Sequence, residues 1–409
     1  MRMTILAFAT LCALSGAANA AESQALRLRP AAAGDQIVAA LHAPSQPLAT
    51  ADLDRTPVSV AWALDRNAAL NSQPPPFVRA SREYWTDVSE AELRAGVKLQ
   101  TTAPEALIRL SPHGGNDAAL DANALLVRAE GKQRTAVEAT SQVADTAALR
   151  AAGMEVPSGT VVMKLKRDVA TGNVELAAPG AHGRYLIHVF EPQSNFVLNL
   201  SAERDSIVAG QTLRFFATLD GAQKWQRLDV VEGLITAPDG HTQSVHFSKQ
   251  GDGRFVASAT PDAAHAGGPG LWEVHAFASG KQLGNPVLRD AKSAFGVAAP
   301  TARFDGSLVR DAGSPLALRV GVEVVAASRY QVSGVVYGTA ADGSMKPIAA
   351  AQSAAWLEAG HGTIRLDVDS ASLAANGLSA PFELRDLRLT NQADLSLLER
   401  RSVALTLTR

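Results

Sequence analysis

The sequence has 409 residues, a formal net charge of −2 at pH 7 and a single cysteine, Cys12. The near-neutral charge provides no basic excess for nucleic acid or anionic lipid, and no acidic block that indicates a charged tail. A chain of this length is long enough to bury hydrophobic cores in several domains of ordinary size.

The first twenty residues have the pattern of a cleavable secretory signal. Arg2 supplies one positive charge, an apolar run follows, and Ala18 and Ala20 have the small side chains that signal peptidase requires. We therefore expect residues 1–20 to be removed, a mature chain that starts at or near Ala21, and a periplasmic or secreted location. A short uncleaved anchor is the alternative, which the short and interrupted apolar run disfavours.

Cys12 lies inside this signal, and Leu11 before it lacks the small side chain that a lipoprotein signal needs. The mature chain then has no cysteine, which excludes disulfide bonds, thiolate catalysis, zinc–cysteine sites and iron–sulfur clusters. Stability must come from buried cores alone. After removal of the signal, we expect no segment that spans a membrane.

Residues 21–192 have the composition of an N-terminal α+β or β-rich domain. A proline run at 74–76 favours an extended loop. Ser89 and Glu92 have capping-box spacing, so a short helix is predicted to begin there and to end at Gly96. The apolar segments predicted as strands are 97–99, 107–110, 161–165 and 186–190, and the alanine-rich region 117–153 is predicted to hold one or two helices.

Residues 194–299 show the clearest pattern. About seven short segments alternate apolar and polar residues and are separated by Asp-Gly turns, which predicts an immunoglobulin-like β-sandwich. Residues 301–409 repeat this alternation, most strictly at 316–324, and predict a C-terminal β-sandwich. The predicted fold class is mainly β, with tandem immunoglobulin-like β-sandwiches after the N-terminal domain.

Familiar catalytic motifs are absent from the sequence: it has no Gly-x-Ser-x-Gly, no His-Glu-x-x-His and no phosphate-binding loop, and we predict no catalytic or cofactor-binding residue. The best local constellation for a metal is Glu273 and His275, because residues two apart on a strand face the same side. A third ligand would come from a neighbouring strand, such as His246 or His241. A solvated strand face that carries a chance pair is the favoured alternative.

Tryptophans are the other candidates for binding. Trp225 has polar neighbours, and an exposed tryptophan can stack on a sugar ring or anchor an interface. A half-covered loop residue is the commoner alternative. Trp272 and Trp356 lie in apolar segments and are predicted to be core residues.

Several segments resemble a known family. They are 81–85 (SREYW), 93–97 (LRAGV), 270–276 (GLWEVHA), 328–339 (SRYQVSGVVYGT), 352–357 (QSAAWL) and 381–387 (PFELRDL). Together they resemble an exported family of Gram-negative bacterial proteins of unknown function. The resemblance covers most of the mature chain and implies export, an N-terminal domain, an immunoglobulin-like middle domain and a β-rich C-terminal domain. It implies no catalytic residue.

The leading functional hypothesis is a non-enzymatic binding or adhesion-type protein without a cofactor, with a protein or glycan partner in the envelope or outside the cell. Tandem sandwiches are rigid spacers that present loops. The alternative is a hydrolase, or an accessory subunit of a secreted hydrolase, with its site in the N-terminal domain near Trp85 or His113. That alternative requires a cleft lined by two titratable groups within hydrogen-bond reach. A third possibility is a metal-dependent module that uses His275.

Overall fold

The computed structural model describes residues 23–44, 46–71, 75–115, 120–221, 227–266, 268–282, 284–311, 316–368 and 377–408. The protein is mainly β, which confirms the predicted fold class. Its described residues include no helix with the length and hydropathy needed to cross a bilayer. The expected signal at residues 1–20 and the candidate Trp225 lie outside the described residues.

Three strands precede the N-terminal domain, and its own strands form two antiparallel sheets. The first three strands are β1 (Gln24–Arg27), β2 (Val58–Ala63) and β3 (Val78–Ser81). The domain then contains β4 (Glu83–Ser89), α1 (Glu90–Ala95), β5 (Val97–Thr101), β6 (Leu107–His113), the 3₁₀ turn Ala122–Ala124, β7 (Leu126–Ala129), β8 (Lys132–Thr135), α2 (Ala136–Ala139), β9 (Thr140–Ala144), α3 (Thr146–Ala151), β10 (Val161–Leu165), β11 (Gly172–Ala177) and β12 (Arg184–Phe190). One sheet has the order β5-β11-β7-β8, and the other contains β4-β12-β6-β10-β9. Alternate residues such as Ile108, Met163 and Ile187 are buried between the sheets, as period-two patterning requires.

The middle domain is a sandwich of the predicted kind. Its elements are β13 (Val197–Ala202), β14 (Ser206–Val208), β15 (Leu213–Asp220), β16 (Arg227–Thr236), β17 (Thr242–His246), β18 (Ser248–Lys249), β19 (Phe255–Ala259), the 3₁₀ turn Ala263–His265, β20 (Trp272–Gln282) and β21 (Asn285–Ala298). One sheet has the order β18-β19-β15-β13-β3. The rings of Phe215 and Trp272 both pack against that of Phe295 in the core, which contains no disulfide bond and is formed by aromatic and aliphatic side chains.

The C-terminal domain packs a four-stranded sheet against a five-stranded one. Its strands are β22 (Ala302–Arg310), β23 (Ala317–Val324), β24 (Ser328–Thr339), β25 (Met345–Leu357), β26 (Gly360–Asp367), β27 (Ser379–Asn391) and β28 (Ser396–Leu407). The sheet orders are β1-β22-β23-β26 and β2-β25-β24-β27-β28. Buried aliphatic residues such as Val320, Val332 and Leu389 form the core between them.

The first three strands complete the sheets of later domains. β1 pairs with β22 and β2 pairs with β25 in the C-terminal domain, whereas β3 pairs with β13 in the middle domain. The predicted domain boundaries are not tested by this pairing. It does show that β1, β2 and β3, which lie within the range 21–192 predicted for the N-terminal domain, pair with strands of the later domains. The compact N-terminal sheets begin only at β4.

One sheet continues from the middle domain into the N-terminal domain. β21 pairs with β20 along its length and also meets β4, where Asp290 lies opposite Glu83. The resulting order is β17-β16-β20-β21-β4-β12-β6-β10-β9. The two domains are therefore joined by strand pairing in addition to the covalent chain.

Candidate functional site

A buried ion pair lies where the N-terminal and middle domains meet. Arg289 Nη2 is 2.8 Å from Glu191 Oε2, and neither side chain is exposed. The guanidinium also donates to Ser194 Oγ (2.7 Å), Thr102 Oγ1 (2.9 Å) and the carbonyl oxygen of Phe196 (2.9 Å). These contacts satisfy two charges that have no access to solvent, so this cluster holds the junction together and presents no surface to a ligand.

Glu83 and His188 form a second polar cluster on the outer face of the continuous sheet. Glu83 Oε2 lies 2.9 Å from His188 Nε2, and this hydrogen bond lowers the pKa of Glu83. The indole of Trp85 stacks on the imidazole at 3.9 Å and carries the Arg109 guanidinium 4.8 Å from the ring centre. Two titratable groups therefore lie within hydrogen-bond reach, which is one of the two features that the hydrolase hypothesis requires.

Two grooves of the N-terminal domain lie elsewhere, along β7 and β8. One is lined in part by Arg134 and Asp168, whose side chains are 3.0 Å apart. The other is lined in part by Arg128 and Glu175, which also form an ion pair. Neither groove includes the cluster of Glu83 and His188.

The predicted metal pair, Glu273 and His275, does share one face of β20, while Trp272 is buried on the other face. Glu273 lies 3.5 Å from the Lys292 ammonium, and the ring of His275 packs at 3.9 Å from that of Phe277. Burial and, to a smaller extent, the charge of Lys292 together lower the pKa of His275 to about 4, while the charge of Glu273 opposes the shift. The neighbouring ammonium makes this face less favourable for a cation, and metal binding by the pair stays a prediction.

A different group of potential metal ligands lies at one end of the middle sandwich. It contains His241, Asp262 and His265, whose ligand atoms all lie within 4.8 Å of one another. The two imidazoles stack at 3.9 Å with an angle of 5° between their planes. Asp239 holds both histidines: Oδ2 lies 2.6 Å from His265 Nδ1, and Oδ1 accepts from the backbone N–H of His241 at 2.9 Å.

These four residues come from two turns. Asp239 and His241 lie in the Pro-Asp-Gly turn between β16 and β17, and Asp262 and His265 lie at the 3₁₀ turn after β19. Asp262 caps that turn through a hydrogen bond from the N–H of Ala264 to Oδ1 (2.9 Å). Local turn chemistry therefore fixes the position of each donor.

Strand β2 is the outermost strand of its sheet and is exposed along its whole length. Val58, Val60 and Trp62 point to one side, with exposed fractions of 46%, 51% and 48%. The strand is paired with β25 over six residues without a bulge, and it contains neither a charge nor a proline. Natural edge strands are usually protected by such features, so an unprotected apolar edge is notable.

The backbone of β2 has a paired side and an open side. Leu64 donates its N–H to the carbonyl oxygen of Ile348 at 2.8 Å, so every second residue back from Leu64 faces β25. The intervening residues direct their N–H and C=O groups outward, and no strand pairs with them in the described part of the chain. These residues are Ser59, Ala61 and Ala63.

The start of β2 is anchored by side chains of the C-terminal domain. Arg329 donates to the carbonyl oxygen of Thr56 at 2.7 Å and to that of Asp54. The Arg55 guanidinium lies 4.1 Å from the centre of the Trp356 ring. Trp356 lies on the outer face of β25 and is partly exposed. The prediction that it is a core residue is therefore wrong. Trp272 is buried as predicted.

Two parts of the sequence match domains of one family. Residues 49–191 match the N-terminal domain, and residues 301–408 match the C-terminal domain, of a family described as a domain of unknown function (DUF4785). The chain belongs to the DUF4785 family. The resemblance found in the sequence is confirmed to this extent, and neither domain description assigns an activity.

A DUF4785 family protein from Legionella pneumophila has a similar crystal structure, with a TM-score of 0.72 and 21% sequence identity. The similarity covers 91% of this DUF4785 chain and 99% of the Legionella chain, and it shows a shared fold. Two further structures align at TM-scores too low to support a shared fold. They are alpha-2-macroglobulin from E. coli (0.23, 10% identity, 77% of this chain and 23% of that chain) and a tetra-tandem repeat of a large adhesion protein (0.21, 13% identity, 87% and 83%). No curated protein matches the sequence.

Sequence reasoning singled out neither β2 nor the complete histidine group of this DUF4785 chain. A signal for β2 was present, since Val-Ser-Val-Ala-Trp-Ala alternates with period two. His241 was named only as a third ligand for Glu273 and His275. Its partner His265 lies 24 positions further along the chain, and no spacing rule brings these two turns together.

Proposed function

We propose that this DUF4785 protein is an exported, non-enzymatic binding protein that captures an extended polypeptide segment at the open edge of β2. The observation that carries the proposal is that β2 is an exposed, uncharged edge strand with an apolar stripe. An edge of this kind accepts an added strand from a partner, in the manner of strand-addition complexes.

The backbone of β2 favours a polypeptide over other ligands. Ser59, Ala61 and Ala63 offer donors and acceptors at the repeat of an antiparallel or parallel ladder, and only another backbone matches that repeat. Arg329 and Arg55 hold the entry to β2 in place, so the edge is already ordered before a partner binds. An ordered edge reduces the entropy that binding must overcome.

The side chains of β2 determine which segment fits. Val58, Val60 and Trp62 lie on one side of the strand at intervals of two residues. A partner strand beside them places alternate side chains on the same side. The expected ligand is therefore an extended segment with apolar residues at every second position.

Peptide selection tests this proposal. Random nonapeptides displayed on phage are selected against the mature chain, and the affinity of the enriched peptides is then measured by fluorescence polarisation. We expect alternating apolar residues in the enriched peptides. The variant Ala61→Pro should weaken their binding at least about tenfold, because it removes an outward N–H while the hydrogen bonds to β25 remain.

Two control variants identify the kind of ligand. Ala61→Ser keeps the N–H and should bind as the unmodified chain does, and thermal melting checks that each variant is folded. Trp62→Ala tests side-chain stacking alone. If Trp62→Ala abolishes binding and Ala61→Pro does not, the ligand stacks on the indole, as a glycan does, and strand addition is wrong.

Export is part of the same proposal and is supported by residues 1–20 and their Ala-x-Ala end. Expression of the complete chain in a Gram-negative host, followed by fractionation and N-terminal sequencing, should recover a protein that begins at Ala21. Full-length protein retained in the cytoplasm would contradict export without affecting the peptide-binding test.

The hydrogen bond between Glu83 and His188 supports a hydrolase as the second candidate. A panel of ester, glycoside and peptide substrates tests it, with His188→Ala as the matched control. Activity that survives in His188→Ala would remove this pair from consideration.

A further inference from the structure

We infer that His241, His265 and Asp262 form a binding site for a divalent transition-metal ion, with Zn²⁺ as the best match. Two imidazoles and one carboxylate, with ligand atoms within 4.8 Å of one another, are the donor set of a three-ligand zinc site. This site is separate from the β2 edge, and it does not include Glu273 or His275.

Asp239 prepares His265 to act as a ligand. Its Oδ2 lies 2.6 Å from His265 Nδ1. A carboxylate on one ring nitrogen places the proton there and leaves the lone pair of Nε2 for a metal, which is the arrangement found behind most metal-bound histidines. The carboxylate of Asp239 also fixes the backbone of His241 at 2.9 Å.

Asp262 has a carboxylate oxygen to offer. Its Oδ1 accepts the N–H of Ala264 (2.9 Å), and a carboxylate has acceptor sites on both oxygens. The cap holds the side chain toward the histidines, so Oδ2 is the oxygen we assign to the ion.

Binding requires one local rearrangement. The imidazoles are stacked at 3.9 Å and nearly parallel, whereas a metal ion lies in the plane of each ring that binds it. The exposed ring of His241 must therefore rotate to share the ion with His265. A groove of about 490 Å³, lined in part by His241 and Asp262, leaves room for this motion and for water or an anion at the remaining coordination position.

The donor set also predicts selectivity. Imidazole nitrogens favour Zn²⁺, Cu²⁺ and Ni²⁺, whereas Ca²⁺ and Mg²⁺ require more oxygen ligands than this group provides. We therefore expect Zn²⁺ to bind and Ca²⁺ and Mg²⁺ not to compete.

Calorimetric titration of the EDTA-treated, dialysed mature chain with ZnCl₂ tests the site. We expect one Zn²⁺ per chain with a Kd below about 100 μM, and no heat from CaCl₂ or MgCl₂. His241→Ala and His265→Ala should weaken binding at least about tenfold, and Asp239→Asn should weaken it by about tenfold. Histidine side-chain NMR spectra should show shifts for His241 and His265 on addition of Zn²⁺.

Two matched variants make the result decisive. His246→Ala removes an exposed histidine from the same hairpin, where it lies 3.6 Å from Glu232, and it should bind Zn²⁺ as the unmodified chain does. His275→Ala removes the histidine of the pair predicted from sequence, and it should also bind Zn²⁺ as the unmodified chain does, because His275 is not one of the three assigned ligands. Absence of Zn²⁺ binding would overturn the assignment, and so would binding by His241→Ala and His265→Ala that is as tight as that of the unmodified chain. Thermal melts in EDTA confirm that the variants are folded.

Discussion

At the scale of single residues, the junction of the N-terminal and middle domains contains two charged side chains without solvent access, Arg289 and Glu191. Removing one partner leaves the other charge buried and unpaired. Arg289→Met should therefore lower the free energy of unfolding by about 3–5 kcal/mol, measured by urea denaturation. Arg214→Met, which breaks the exposed pair with Glu203, is the control and should cost less than about 1 kcal/mol. Equal losses in the two variants would contradict this interpretation.

Asp290, beside this junction, predicts a pH dependence. Burial raises its pKa to about 7, the charge of Glu83 acts in the same direction, and the hydrogen bond from the Trp85 backbone and the charge of Arg289 oppose the shift. Between pH 4 and 7 the folded protein keeps a proton that the unfolded chain has lost. The free energy of unfolding contributed by Asp290 therefore falls as pH rises, by up to about 4 kcal/mol.

Asp290→Asn isolates this effect, because an amide stays neutral and still accepts the N–H of Trp85. As the pH rises from 4.5 to 8, the unmodified chain should lose free energy of unfolding relative to Asp290→Asn. Denaturation curves recorded at both pH values measure it. A difference that is independent of pH would show that Asp290 is ionised in the folded protein throughout this range.

The candidate residues illustrate what a sequence conveys at this scale. The shared face of Glu273 and His275 could be predicted because it depends only on strand periodicity. The approach of His241 to His265 could not, because it depends on how two separate turns meet in space. The position of Lys292 could not be predicted either, because it lies opposite His275 in the pairing of β20 with β21, which the sequence does not specify.

At the scale of secondary-structure elements, helix α1 follows its local sequence closely. Ser89 and Glu92 form the predicted capping box, and the helix ends at Gly96. Gly96 has a φ of +115°, and a Cβ at this position would overlap the side chain of Glu175. Gly96→Ala should therefore destabilise the protein by about 1–3 kcal/mol through backbone strain and displacement of Glu175.

A second glycine separates the two causes. Gly131 also has a positive φ, +72°, but a Cβ there meets no atom within 4 Å. Gly131→Ala should thus show the backbone strain alone. Thermal unfolding of both variants measures the difference, and a loss at Gly131 as large as that at Gly96 would exclude a role for Glu175.

Elements with long-range partners were harder to predict. Region 117–153 was predicted to hold one or two helices, and its described part contains the short α2 and α3, but the three strands among them, β7, β8 and β9, were not predicted. Helix propensity is a weak preference that pairing in a sheet overrides. The partners of β1, β2 and β3 are separated from them in sequence by an entire domain or more, so no local pattern identifies them.

At the scale of the whole molecule, the first described segment of the chain links distant domains. Beyond β1 and β2, the backbone of Gln36 bridges to Arg400, and the N–H of Val38 donates to the buried carboxylate of Glu399 at 2.9 Å. Val38 itself belongs to the C-terminal core. β1, Gln36, Val38 and β2 are therefore an integral part of the C-terminal domain, although they precede its strand β22 by more than 230 positions in the sequence.

This arrangement predicts the behaviour of a cleaved chain. A protease site inserted between Ala63 and Val78 allows the folded protein to be cut. The fragment that carries β1 and β2 should remain bound to the rest through size-exclusion chromatography, because strand pairing and the buried Val38 hold it. In the cut chain that also carries Arg329→Met, which loses the hydrogen bonds to Thr56 and Asp54, the fragment should dissociate at a lower urea concentration. A fragment that separates without denaturant would show that the N-terminal segment contributes little to the C-terminal domain.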